Sequence, residues 1–144
     1  MESHIDTITL AVADLDRALA FYRDGLGLPT SGIIGEEFPG SDTAPAGRAA
    51  MFQLGNGVIL SLYPAAELAK DAGLSPSDVA GHGFSIGHTV STSQEVDDLL
   101  AAAEAAGGRV VGDVGERPWG IYSGYFIDPD GHLWEIVHFL RTPA

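Results

Sequence analysis

Aromatic side chains with a polar handle gather in one short stretch of this sequence: Trp119, Tyr122 and Tyr125, with Phe126 beside them and Tyr63 far upstream. Trp and Tyr join a large apolar face to one hydrogen-bonding group, a combination that suits a flat organic ligand. Trp119 and Tyr122 stand in a Gly-rich approach to a strand, where side chains line a mouth more readily than a core. Alternation assigns Phe126 to the core. Nucleophiles and metal donors are sparser. The absence of cysteine removes thiolate catalysis, disulfides and Cys-ligated zinc together. Five histidines, His4, His82, His88, His132 and His138, are scattered along the chain.

Charge narrows the partners. The 144 residues carry 20 acidic and 7 basic side chains, a formal net charge of −13. Such a surface repels phosphate backbones and anionic lipid, so neither nucleic acid nor membrane is an expected partner. Apolar runs reach only strand length, too short for a transmembrane helix. Met1-Glu2-Ser3-His4 offers no basic n-region or apolar h-region, and a cysteine-free chain suits a reducing cytosol, so the expected location is cytoplasmic.

The elements that must position these residues occur twice. Ile8, Leu10 and Val12 alternate as a half-buried strand; Asp14 stands at an N-cap; Leu15, Ala18, Leu19 and Tyr22 follow with helical spacing until Gly25 and Gly27. In the second half Phe84, Ile86, His88 and Val90 alternate. Thr92 and Glu95 have capping-box form, and Val96, Leu99, Leu100 and Ala103 repeat the helical stripe before Gly107-Gly108. Val12 and Val90 differ by 90 − 12 = 78, as do Ala18 and Val96. Asn56-Gly57 and Asp130-Gly131 are dipeptides that favour tight hairpin turns, because both central positions need positive φ. They join strands 49–54 to 58–63 and 121–128 to 132–139, with an offset of 131 − 57 = 74. Ile33-Ile34 and Val110-Val111 supply one more strand each. The pattern is β-α-β-β-β twice: a single domain over 1–144, with module 1 at about 5–64, a linker at 65–83 holding a short helix at 65–70, and module 2 at about 84–140. A period near 75 residues is too long for a solenoid and indicates a pseudo-twofold pair.

The segments ITLAVADLDRALAFYRDGLGLP (8–29) and WGIYSGYFIDPDGHLWEIVHF (119–139) resemble the vicinal-oxygen-chelate superfamily of glyoxalases, bleomycin-resistance proteins and extradiol dioxygenases. The resemblance spans nearly the whole chain. It implies an α+β fold of two βαβββ modules whose mixed sheets curl into an open cup, helices outside, with a small-molecule site within.

Metal-dependent members place one ligand on the first strand and one on the last strand of each module. Carried onto this chain, those places hold Thr7, Ser61, Ser85 and Glu135, the last lying four residues after Asp128-Pro129-Asp130-Gly131. Three hydroxyls and one carboxylate do not make a catalytic zinc or nickel site, so no metal cofactor is expected. Strand alternation turns His88, His132, His138 and His4 away from the face of Glu135 and Thr7, while His82 lies in a Gly-His-Gly stretch.

Glu135 then becomes a candidate catalytic carboxylate, a general base or a fixed acceptor, unless it merely pairs with Arg48 or Arg117. Thr7, Ser61, Tyr63, Ser85, Trp119 and Tyr122 are the candidate ligand contacts. The segment from Glu36 to Gly40, with the Ser/Pro/Gly-rich stretch that follows it, reads as a mobile loop able to close over the cup. Three functions compete: a metal-independent binder of a small organic ligand; a lyase, isomerase or dioxygenase using Glu135 or a metal; and a module whose sheets serve only dimerisation. A homodimer is expected in any case.

Overall fold

The computed structural model describes residues 1–79 and 84–140 and divides into two compact units, Met1–Arg23 with Gly27–Gly81 and Asp24–Leu26 with His82–Ala144. In the first unit β1 (Thr7–Val12) leads into α1 (Leu15–Leu19), which continues as a π-helical segment over Ala20–Gly25. The other strands are β2 (Ile33–Ile34), β3 (Ala49–Gln53) and β4 (Ile59–Pro64), followed by α2 (Ala65–Ala72) and α3 (Pro76–Val79). Sheet order is β1-β4-β3-β2, parallel between β1 and β4 and antiparallel elsewhere. The predicted cap holds: Asp14 Oδ1 accepts from the Arg17 amide at 3.1 Å. Alternation sends Leu10, Val12, Leu60, Leu62 and Phe52 into the core, where Leu15, Ala18, Leu19 and Tyr22 of the helix meet them.

The second unit repeats the scheme. Here β5 (Ile86–Thr89), α4 (Ser93–Ala105), β6 (Arg109–Arg117), β7 (Ile121–Ile127) and β8 (Leu133–Phe139) give the sheet order β5-β8-β7-β6, with β5 and β8 parallel. Thr92 Oγ1 accepts from the Glu95 amide at 3.1 Å, and the Glu95 carboxylate accepts from the Ser91 amide at 2.9 Å. Val96, Leu100 and Ala103 bury their stripe of α4 against β7, β6 and β8. On that same face the rings of Phe126 and Trp134 stack at 5.9 Å. Gly124 is what lets α4 come so close, since a Cβ there would lie 2.5 Å from Leu100 Cδ1.

Three expectations need correction. The hairpin turns do not take positive φ at both dipeptide positions: in each three-residue loop, closed by the Leu54 amide on the Val58 carbonyl and the Asp128 amide on that of His132, only the glycine does, Gly57 at 85° and Gly131 at 92°. No non-glycine has positive φ among the described residues. A type I turn closed by a left-handed glycine needs one permissive position, not two. The strand read at Val110-Val111 runs from Arg109 to Arg117, because a bulge between Val111 and Gly115 lets pairing with β7 resume beyond it. The short linker helix extends to Ala72 and is followed by α3.

Candidate functional site

Register decides which side chains share the face of the second sheet that α4 leaves uncovered. Glu135 on β8 stands opposite Tyr125 on β7 and Gly87 on β5. Ser123, two residues from Tyr125 on β7, and Arg117, on β6 opposite Ile121, fall on the same face. Ser123 is fully buried and its hydroxyl donates to Glu135 Oε2 at 2.7 Å. The Tyr125 phenol has its pKa raised by burial first, then by the charge and hydrogen-bonding pull of Glu135, while the Arg117 charge opposes the rise. Arg117 is itself fixed, its guanidinium donating to the carbonyls of Asp113 at 2.7 Å and Gly115 at 3.3 Å. A Cβ built on Gly87 meets no heavy atom within 4 Å, so there is open room beside the carboxylate.

The predicted contacts distribute unevenly. Ser85 lies just ahead of β5, exposed, on the Glu135 side by parity. Trp119 sits in the three-residue turn between β6 and β7 and is 71% exposed, so it is no core residue. Tyr122 is elsewhere: it pairs with His138, shares its face with Gly124 and Phe126, and donates to Asp97 Oδ1 of α4 at 2.7 Å. It anchors the helix instead of standing with Trp119 at a mouth. In the first unit Thr7, Ser61 and Tyr63 share one face, but the register neighbours of Ser61 are Thr9 and Met51, with Thr7 opposite Ile59. The Tyr63 hydroxyl donates to the Ala46 carbonyl. Neither suggested arginine forms an ion pair with Glu135; Arg48 bonds Asp16 at 3.0 Å and Glu36 at 3.4 Å.

The profile of the Glyoxalase/Bleomycin resistance protein/Dioxygenase superfamily matches residues 4–136. The chain belongs to that superfamily. A putative lactoylglutathione lyase of Brassica oleracea var. gemmifera is 29% identical over 137 residues, which are 94% of this chain and 44% of that protein. A lactoylglutathione lyase of Arabidopsis thaliana is 28% identical with the same coverage. The chain thus spans less than half the length of these curated relatives. Among solved structures, a glyoxalase-related enzyme from Fulvimarina pelagi superposes with a TM-score of 0.79 at 28% identity, covering 95% of this chain and 88% of that one. A lactoylglutathione lyase from Agrobacterium tumefaciens gives 0.65 at 28%, covering 96% and 95%.

Superfamily kinship raises the question of a metal, and the donors present do not fit one. Thr7 and Ser61 on the first unit and Ser85 and Glu135 on the second offer one charged ligand among four, whereas catalytic zinc takes three strong protein ligands. Glu135 moreover already accepts a hydrogen bond from the Ser123 hydroxyl. Among the described residues, no group of three His, Asp or Glu side chains is arranged to hold an ion. His4 lies against Asp6 and Glu2, His138 Nδ1 is 3.2 Å from the Val90 carbonyl, and His88 pairs with Ile136 on the α4 face. His82 lies outside the described residues.

The segment expected to be a mobile lid is tied down. Glu67 of α2 accepts from the Ala46 amide at 2.7 Å, Lys70 donates to the Ser41 carbonyl at 2.9 Å, and Tyr63 holds Ala46 from the other side. Gly35 has φ of 79°, and a Cβ there would fall 1.9 Å from the Gly47 carbonyl oxygen. These are the bonds of a fixed strap. Tyr125, Ser123, Arg117 and Gly87 are the site residues the sequence reading missed, although the hairpin arithmetic that locates Tyr125 was available.

Proposed function

We propose that this glyoxalase/bleomycin-resistance-type chain takes a small organic molecule on the uncovered face of β5–β8, with Glu135 as its fixed acceptor and without a divalent metal. One observation carries the reading. Glu135 is held by the Ser123 hydroxyl and stands opposite Tyr125, next to the space that Gly87 leaves open. A carboxylate offers about four acceptor sites, so three remain for a ligand donor. Trp119 and Ser85 on the same unit supply further contact. A homodimer working in the cytoplasm completes the proposal.

Similarity to proteins called lactoylglutathione lyases favours a second reading, in which Glu135 acts as a base, or a metal is recruited, in a lyase, isomerase or dioxygenase. Elemental analysis of protein purified without chelator or added metal separates the two. The binding reading expects well below one equivalent of Zn, Ni, Fe or Mn, and no turnover of a methylglyoxal–glutathione hemithioacetal after metal titration. Near-stoichiometric metal with robust turnover establishes the second reading instead.

A further inference from the structure

Arg117 is out of place in a chain with so many carboxylates. With 20 acidic side chains against 7 basic ones, an arginine finds an acidic partner easily, as Arg48 and Lys70 do. Arg117 has no carboxylate partner among the described residues; its two hydrogen bonds go to the carbonyls of Asp113 and Gly115 on its own strand. Asp113 lies within the bulge and Gly115 at its end, so the bulge that extends β6 also draws the guanidinium back along the strand toward Val111, the partner of Tyr125. Backbone carbonyls orient the fork without neutralising it. Three of its five N–H groups and its full charge stay available.

The charge on this face is therefore split. Glu135 on β8 stands opposite Tyr125 on β7. Arg117 on β6 starts opposite Ile121, but its guanidinium turns back to the Asp113 carbonyl, near enough for its charge to act on Tyr125, and it does not pair with Glu135. With neighbouring strands about 4.8 Å apart, β6 and β8 lie roughly 10 Å apart, the scale of a substituted benzene ring rather than of acetate. Arg117 presents donors, Glu135 presents an acceptor, and the Tyr125 ring lies between. A bare anion meets repulsion from Glu135 unless a donor occupies that end.

Building on the binding site proposed above, we infer that its ligand is an organic carboxylate of aromatic-acid size, its carboxylate on Arg117 and a hydroxyl or amino donor at the far end on Glu135. Gly87 leaves room for the donor end, and the ring covers Tyr125. Selectivity comes from needing both ends at once.

Isothermal titration with 4-hydroxybenzoate, benzoate and 4-hydroxybenzamide, supported by amide chemical shifts of Gly87, Tyr125 and Glu135, tests the inference on the intact chain. The hydroxy acid is expected to bind at least about tenfold more tightly than either partial mimic, the scale of one charge-assisted hydrogen bond. Arg117→Gln should erase the preference for the acid over the amide; Arg117→Lys, which keeps the charge and can still bond the bulge, should restore part of it. Glu135→Gln should erase the preference for the hydroxy acid over benzoate. Equal binding of acid and amide, or an unchanged preference in a folded Arg117→Gln, overturns the carboxylate assignment while leaving a ligand site at Glu135. No binding of the hydroxy acid at millimolar concentration also overturns it. The wider binding reading falls only if none of the three probes shifts the Gly87, Tyr125 and Glu135 amides.

Discussion

Two glycines of the second sheet make opposite predictions, and the contrast tests the packing that positions the site. A methyl group at Gly124 would lie 2.5 Å from Leu100 Cδ1 and 2.9 Å from one Val114 methyl, both closer than carbon atoms approach, and a tight 3.1 Å from the other. A methyl group at Gly87 meets nothing within 4 Å. Replacing glycine by alanine where the backbone permits stabilises by about 0.4–1 kcal/mol, because the unfolded chain has less freedom to lose. Overpacking a filled core costs about 1–3 kcal/mol. Leu100 is buried and can yield only by pushing its neighbours on α4 and β7.

Gly124→Ala should therefore lose about 0.5–2 kcal/mol net, whereas Gly87→Ala gains up to about 1 kcal/mol. For a chain of this size one kcal/mol moves Tm by about 3–4 °C. The expected result is a drop of about 2–8 °C for Gly124→Ala and a rise of about 1–4 °C for Gly87→Ala, read by calorimetry at one pH. Because Ser123 and Tyr125 flank Gly124 on β7, its variant should also disturb the Tyr125 amide and ring resonances. Equal melting of the two variants would refute the close seating of α4 on β7, and with it the account of how Glu135 is held.

Alkaline pH is expected to weaken the fold through three tyrosines. Burial raises the pKa of Tyr63 and Tyr125, and the bond to Asp97 raises that of Tyr122. Each folded phenol holds its proton more tightly than the ordinary value near 10, so this stability is whole below about pH 10 and is lost as pH rises through the raised values. Melts at pH 9 and 11 check it, and Tyr122→Phe should lessen the difference. Glu67 works at the acid end: the Ala46 amide, then Lys70, lowers its pKa, so its contribution is present above about pH 4.3 and fades as pH falls. In Glu67→Gln the acid limb of the stability curve should flatten. Gly35→Ala should displace the 35–48 strap, since its Cβ would fall on the Gly47 carbonyl; new protease cleavage within 36–47 is the expected sign, and an unchanged digest counts against the strap.

Much of this architecture was legible because local chemistry and tertiary packing agree. Asp14 and the Thr92–Glu95 pair cap their helices as their types require, and the spacings of Leu15 to Tyr22 and Val96 to Ala103 are the buried stripes. The strap was not legible. Its order comes from Tyr63, Glu67 and Lys70, whose bonds to residues 41–46 span 17 to 29 positions in sequence, and a Ser/Pro/Gly-rich segment carries no local sign of them. The bulge in β6 was hidden for a related reason. Gly112 with φ of 68° and Gly115 look like the end of a strand unless its pairing with β7 is known.

The aromatic site turned on a single residue of register. A two-residue loop at Asp130-Gly131 pairs 129 with 132, and so Phe126 with Glu135. The three-residue loop pairs 128 with 132, and so Tyr125 with Glu135. Because strand side chains alternate faces, that one step exchanges every β7 residue between helix and open face relative to β8. It sends Tyr122 to Asp97 under α4, and it brings Ser123 and Tyr125 onto the carboxylate. Asp128 enforces the step: its Oδ1 accepts from the amides of Asp130 and His132, at 2.9 and 2.8 Å, which fixes the type I turn and leaves Gly131 as the left-handed closing residue. The Asp-Pro-Asp-Gly sequence is thus a register-setting device for the site as well as a turn. The placement of Glu135 against the Ser123 hydroxyl and opposite Tyr125 follows from a carboxylate seven residues away.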